Sequence, residues 1–147
     1  MNAAPLDKLQ VIRQICRMLV STGKFDSCMN KVKIINVDSG RLRAEMVVGE
    51  EHTNFGGTLH GGMVASLVDY TSSLALVTDD LQQTGFSVDL NVTFVNSANV
   101  GDCLVLDAQT VKRGKSLAYL DVSIFHKETK KIIALGKQVK YTGNNGG

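Results

Sequence analysis

An α+β fold, with one long antiparallel sheet wrapped around a single central helix, is what this 147-residue sequence predicts. Three observations predict it. Met63, Val64, Ala65, Leu67, Val68, Leu74, Ala75, Leu76 and Val77 make a helix-length apolar segment with no Gly or Pro inside. A helix that is apolar on nearly all sides is a buried one. Several flanking segments alternate polar with apolar residues at period two, which marks strands with one wet face. No βαβαβ alternation and no GxGxxG after a strand is present, so a Rossmann unit is excluded.

At the start of the chain, Leu6, Leu9, Ile12, Ile15 and Leu19 recur at helical spacing, with Lys8, Arg13 and Arg17 on other faces. They place an amphipathic helix within residues 1–22, ended by Gly23. Val32 to Val37 is β-branched and apolar, and Asp38-Ser39-Gly40 turns the chain. Leu42, Ala44, Met46 and Val48 then alternate with Arg41, Arg43 and Glu45 as a second strand. After the glycine-rich loop from His52 to Gly62 and the central helix, Asp79-Asp80 and Gly85 close that region. Val88, Leu90, Val92 and Phe94 alternate with Ser87, Asp89, Asn91 and Thr93 as a third strand. Leu104 to Lys112 and Ser116 to Phe125 read as a hairpin turning at Arg113-Gly114-Lys115. Lys131 to Tyr141 is the last strand, and residues 143–147 read as a flexible tail.

Composition bounds the function. The length fits one domain, residues 1–147, with a sizeable core. A net charge of +2 is too small to make nucleic acid or a membrane surface the main partner. No run reaches the ~20 apolar residues of a membrane span. Cys16, Cys28 and Cys103 are scattered, with no CxxC or metal-ligand spacing. With no secretory signal pattern, they point to a reducing, cytoplasmic setting. The Arg-bearing, nearly acid-free first helix leaves mitochondrial association open.

Chemistry concentrates between His52 and Asp69. A carboxylate inside an apolar helix needs a partner or a job, and desolvation should raise its pKa and make it a better base. Asp69 shares a helix face with Ser66 and Ser73. Gly61 stands at the helix start, where unpaired N–H groups and the helix dipole favour a developing negative charge. Asn54 is a neutral amide able both to donate and to accept. Ser87 is no serine nucleophile, because no Gly-x-Ser-x-Gly elbow surrounds it. Each residue also has a plain structural reading: a bonded acid, a helix-start glycine, a loop-turning Asn, an ordinary polar strand position.

Glu50-Glu51-His52-Thr53-Asn54, Gly57-Thr58-Leu59-His60-Gly61-Gly62 and Leu67-Val68-Asp69 resemble the hotdog-fold acyl-CoA thioesterases. The likeness continues through Ser87-Val88-Asp89-Leu90-Asn91 and Lys112-Arg113-Gly114-Lys115, and covers nearly the whole chain. His-Gly-Gly with an acid eight residues after its second position, Gly61 to Asp69, is its most specific part. The resemblance implies hydrolysis of acyl-CoA, with medium to long-chain fatty acyl groups leading and aryl-acetyl-CoA next. A non-catalytic acyl-CoA-binding protein is the alternative from another class. It implies no metal and no cofactor, since coenzyme A belongs to substrate and product. It also implies a homodimer with sheets joined side by side, two such dimers together, and sites at the dimer interface.

The resemblance also implies roles for single residues. Asp69 activates water or attacks the thioester itself, Gly61 holds the carbonyl oxygen, and Asn54 orients carbonyl or water. Ser87 bonds the attacking water, and His60 lies beside the leaving sulfur. Substrate and CoA contacts are expected from Phe94, from the loop Asn96, Ser97, Ala98 and Asn99, and from Lys112, Arg113, Gly114, Lys115 and Ser116. Close relatives commonly read Ser-Pro-Ala-Lys in that loop; here the stiff proline and the basic residue are missing.

Overall fold

The computed structural model describes residues 7–82 and 84–143. It consists of helix α1 (Lys8–Ser21), strands β1 (Lys33–Asp38) and β2 (Arg41–Val47), helix α2 (Gly61–Val77), and strands β3 (Phe86–Phe94), β4 (Cys103–Arg113), β5 (Leu117–His126) and β6 (Ile132–Tyr141), with two short 3-10 helices. The expected order of elements holds, with ends moved by one or two residues. The start of the expected first helix and residues 144–147 of the tail lie outside the described residues.

All six strands form one antiparallel sheet in the order β1-β2-β4-β5-β6-β3. The two strands flanking α2 in sequence are thus at or next to opposite sides of the sheet, and α2 fills the concave face between them. Val64, Leu67, Val68, Leu74, Ala75 and Leu76 are buried there against Leu104, Leu106, Leu120, Val122 and Ile124. Each such Leu or Val side chain contributes about 1.5–3 kcal/mol by leaving water. The sheet's inner face and the helix therefore hold each other, since neither could stay apolar alone.

α1 starts at Asp7, whose carboxylate accepts from the Leu9 N–H at 3.1 Å, and stops at Thr22 before Gly23 at φ 70°. Its apolar side buries Ile12, and the Arg13 guanidinium donates twice to the Ile34 carbonyl at 2.8 and 3.1 Å. α1 is thus packed on the body of the protein.

Two features fix the geometry around the middle of α2. Gly136 of β6 faces Val68 so closely that a Cβ there would overlap the valine; glycine lets β6 approach α2 at that point. β3 carries a bulge at Val88: Ser87 pairs with Lys140, whereas Asp89 pairs with Val139. The third strand also departs from expectation in burial. Val88 and Phe86 are 61% and 67% exposed, and Leu90 and Phe94 are exposed too. β3 is an edge strand that α2 covers only in part, through Ser87 and Val92, so most of its length stays open within one chain.

Candidate functional site

The loop before α2 is pinned by its own side chains. Asn54 Oδ1 accepts from the Thr58 N–H at 3.1 Å, its Nδ2 donates to Thr58 Oγ1 at 2.9 Å, and the main chain closes from Asn54 N to Thr58 O at 2.8 Å. The amide expected to face a substrate thus spends most of its bonding capacity on its loop, and one amide proton remains. Beneath it, His52 is buried; Nδ1 accepts from the Gly49 N–H at 3.0 Å, and burial holds its pKa below the ordinary histidine value. It is a neutral, structural ring.

His60 caps α2. Its Nδ1 accepts from the Gly62 N–H at 2.8 Å, which places the ring proton on Nε2, facing out from an exposed side chain. A Cβ at position 62 would sit 2.9 Å from that Nδ1, so glycine makes room for the cap. The Gly61 N–H meets no acceptor among the described residues. Gly61 lines a groove of about 280 Å³ with Leu59, Phe94, Asn96, Ser97 and Ala98. The fold therefore gathers Gly61, Phe94 and three residues of the expected loop around one space. Asn99 does not line that groove; its backbone N–H donates to Asp102 Oδ2 at 2.8 Å.

Two turns further along the helix lies the acid. Asp69 is half-buried rather than fully enclosed in the single chain. Ser87 Oγ donates to its Oδ1 at 3.1 Å, so the fold brings these two residues together. That proximity comes from the bulge. Opposed residues in an antiparallel pair point to the same face, and Lys140 is buried against the helix. In a regular ladder that included Val88, Val88 would oppose Lys140, and Ser87, three residues from Leu90, would sit at the opposite parity to Leu90 and Phe94 and face outward.

The sequence pattern alone misses two residues here. Gln138, 1% exposed, donates from Nε2 to Asp69 Oδ1 and to Ser87 Oγ, each at 2.6 Å, and its Oε1 accepts from Ser72 Oγ. Lys140, 5% exposed, donates from Nζ to Ser73 Oγ at 2.6 Å. Burial pushes the Lys140 pKa down, and the charge of Asp69 pulls partly the other way. A signal was present: Ala134, Gly136, Gln138 and Lys140 share one strand parity, so two polar residues had to lie on a core face. Ser66, expected on the acid's face, turns back to the Gly62 carbonyl at 2.7 Å.

The basic hairpin divides. A bulge at Val111 shifts the register so that Lys112 opposes exposed Tyr119, while Arg113 opposes buried Ala118. Arg113 turns inward, with Nη1 3.9 Å from Asp79 Oδ2. Lys112 and Lys115 are exposed, Gly114 closes the turn through its N–H to Leu117 O at 2.7 Å, and the Ser116 carbonyl accepts from the Thr142 N–H. Because Leu117 and Phe86 both oppose Tyr141, this hairpin lies at the Ser87 end of the sheet and not at the Gly61 groove. Cys16 and Cys28 have thiol pKa values raised first by burial, so neither is an activated nucleophile.

The stretch that carries Gly61 and Asp69 falls within a match to known proteins. The sequence profile of the thioesterase superfamily matches residues 56–133, more than half of the chain. The chain belongs to the thioesterase superfamily. It is a thioester hydrolase with the hotdog fold, as the resemblance implied. Human acyl-coenzyme A thioesterase 13 is 38% identical over 135 residues, 92% of this chain and 96% of the relative. The crystal structure of zebrafish thioesterase superfamily member 2 superposes with a TM-score of 0.90 at 39% identity, covering 92% of this chain and 98% of that one. The mouse thioesterase superfamily member 2 structure gives 0.87 at 37%, covering 93% and 98%. The superfamily match ends before Gln138 and Lys140, which lie outside it.

Proposed function

We propose that this thioesterase hydrolyses acyl-CoA, with medium to long-chain fatty acyl groups as its substrate class, to a free acid and coenzyme A. The observation that carries the reading is Asp69. Both side-chain donors that reach its carboxylate, from Ser87 and Gln138, fall on Oδ1, which leaves Oδ2 as the open acceptor. In this reading a water gives its proton to Oδ2 while its oxygen attacks the thioester carbon. The carbonyl oxygen, as it gains charge, meets the Gly61 N–H at a helix start, where glycine allows close approach. The C–S bond then breaks; His60 Nε2–H, which the cap keeps as the donor nitrogen, hydrogen-bonds the leaving thiolate, and the thiolate takes up the proton that Asp69 received from water, so the carboxylate is restored. Asn54 orients the carbonyl with its remaining amide proton.

One chain does not complete this arrangement. Gly61 and Asp69 are separated by about 12 Å along the helix axis at ~1.5 Å per residue, whereas both groups must lie within ~3 Å of the reacting centre. A second copy supplies the missing half, through the unpaired β3 edge and its exposed Phe86, Val88, Leu90 and Phe94. The reading includes a homodimer joined at that edge, a dimer of such dimers, and a cytoplasmic setting with mitochondrial association as its extension. Phe94 and the Asn96–Asn99 loop line the acyl entrance, and Lys112 and Lys115, with the hairpin Arg113-Gly114-Lys115-Ser116, attract CoA phosphates. No metal or cofactor enters the scheme.

Release of free CoA, followed with a thiol reagent over a series of acyl lengths and with phenylacetyl-CoA, tests it. Turnover rising from short to long chains is the expected result. Preference for phenylacetyl-CoA would replace the substrate class, and binding without thiol release from any substrate would replace the activity.

A further inference from the structure

We propose that Gln138 is the positioning residue of the acid site, orienting Asp69 and Ser87 together so that a single carboxylate oxygen is presented to the attacking water. The inference rests on the reading of Asp69 as the base. Three elements meet at this residue. β6 brings Gln138 under α2, where glycine at 136 permits the approach to Val68. β3 brings Ser87, turned inward by the bulge at Val88. α2 contributes Asp69 and Ser72.

The orientation of the amide is set by its neighbours. Nε2 carries two protons, and both are used: one on Asp69 Oδ1 at 2.6 Å, one on Ser87 Oγ at 2.6 Å. Oε1 takes the hydroxyl of fully buried Ser72. Turned over, the amide would set its oxygen against a carboxylate oxygen, one acceptor facing another, and Asp69 Oδ1 would lose a donor. The network therefore has one direction. Ser72 donates to Gln138, and Gln138 donates to both Ser87 and Asp69. Ser87, having accepted one proton, gives its own to Asp69 Oδ1 at 3.1 Å.

This direction matters for the chemistry in two ways. Oδ1 is occupied by two donors, so Oδ2 is the basic oxygen. Ser87 keeps one lone pair free, and a water placed between that lone pair and Oδ2 can donate to both while its own lone pair points away from them, toward substrate. Gln138 does this without touching substrate, and it does not titrate. Of the groups facing Asp69 – Ser87 from β3, Gln138 and Lys140 from β6, Ser72 and Ser73 from α2 – Lys140 alone carries charge.

The test is Gln138→Leu, which fills the space and removes both donors. Measured on the full-length protein with a long-chain acyl-CoA, kcat should fall roughly 10- to 100-fold, the range expected for lost hydrogen bonds to a charged group. KM should stay within about 2-fold, because ground-state binding is untouched. The acid limb of the kcat–pH profile should move up by about half a pH unit or more, because donors to an ionised carboxylate favour the ionised form. Ser72→Ala leaves Gln138 in place but frees its oxygen. It should shift the same limb in the same direction with about a 2- to 5-fold loss in kcat, in the range of one neutral hydrogen bond. If Gln138→Leu does not fold, Ser72→Ala decides. A folded variant of either kind with wild-type kcat and an unmoved acid limb overturns the proposal. If Asp69→Asn remains fully active, or wild type releases no CoA, the reading of the site fails instead, and the two failures are told apart by those controls.

Discussion

The two ends of the α2 stretch proposed for catalysis are built in opposite ways. At its start, the features that matter are backbone: the Gly61 N–H, the His60 cap, and the absence of side chains at 61 and 62. At Asp69 they are side chains from three elements, locked by Gln138 and set in phase by a bulge. The first half tolerates much change around it, because a helix start offers its N–H groups whatever the neighbouring sequence. The second half depends on the register of two strands. One half-site is supplied by secondary structure and the other by tertiary structure.

Asp69→Asn breaks the comparison most directly. It keeps shape and removes the base, so kcat should fall by roughly 10²–10⁴-fold with little change in KM; stopped-flow or steady-state CoA release reads it, and near-wild-type kcat would remove Asp69 from the mechanism. Single turnover in ¹⁸O-water separates base from nucleophile: label appearing in the Asp69 carboxylate marks the nucleophile.

Whether the halves come from different chains can be read from mixed dimers. On the proposed reading, Asn54→Ala and Asp69→Asn should each disable both sites of a homodimer. Together in one heterodimer they place both lesions in one site and leave the other whole, so activity should return to about half of wild type. Purified heterodimers as inactive as either parent would put each site within one chain.

A smaller effect sharpens the assignment of the hairpin to CoA. Lys112→Ala with Lys115→Ala, leaving Arg113 with Asp79, should raise KM about 2- to 10-fold at low salt with kcat nearly unchanged, the scale of exposed charge pairs. The difference should shrink in salt of about 0.5 M. Equal KM values at low salt would leave the hairpin a solvated turn.

Smallest is the effect of Lys140 on stability. Burial holds this amine below the ordinary lysine value of ~10.5. Between the two values the unfolded chain keeps a proton that the native state has lost, so stability rises with pH across that interval. Lys140→Met should flatten the rise, seen in urea midpoints at alkaline pH. An unchanged slope would mean that another group causes it.

Much of this was legible in the sequence, for reasons that also explain what was not. The all-round apolar helix and the period-two strands are signals of single segments, and they located α2, the sheet strands, and Gly61 and Asp69 on one helix. Ser87 was found through resemblance alone. Strand alternation counts it as a wet position, because a bulge depends on pairing with β6 and leaves no mark in β3 itself. Gln138 escaped because amides on strands usually face water, and only the parity set by Ala134 and Gly136 reveals otherwise. The spreading of Lys112 and Arg113 to opposite faces was hidden in the same way, by the bulge at Val111. Exposure of β3 follows from its place at the sheet edge, which no pattern within the strand itself encodes.

The bulge has a consequence for how this gene can vary. Val88 is exposed and touches none of the site residues by hydrogen bond, so a substitution scan would score it as permissive. Deleting it is tolerable to the site as well. Loss of that one codon would let β3 pair with β6 without interruption and leave Ser87 opposite Lys140, two places from Leu90 and still on the inner face. What would turn the Ser87 hydroxyl to the outside is a slip that draws Val88 into the ladder opposite Lys140. The bulge is therefore a place where this gene can lose a codon and keep its acid site, and a deletion scan across 86–90 should show tolerance at 88.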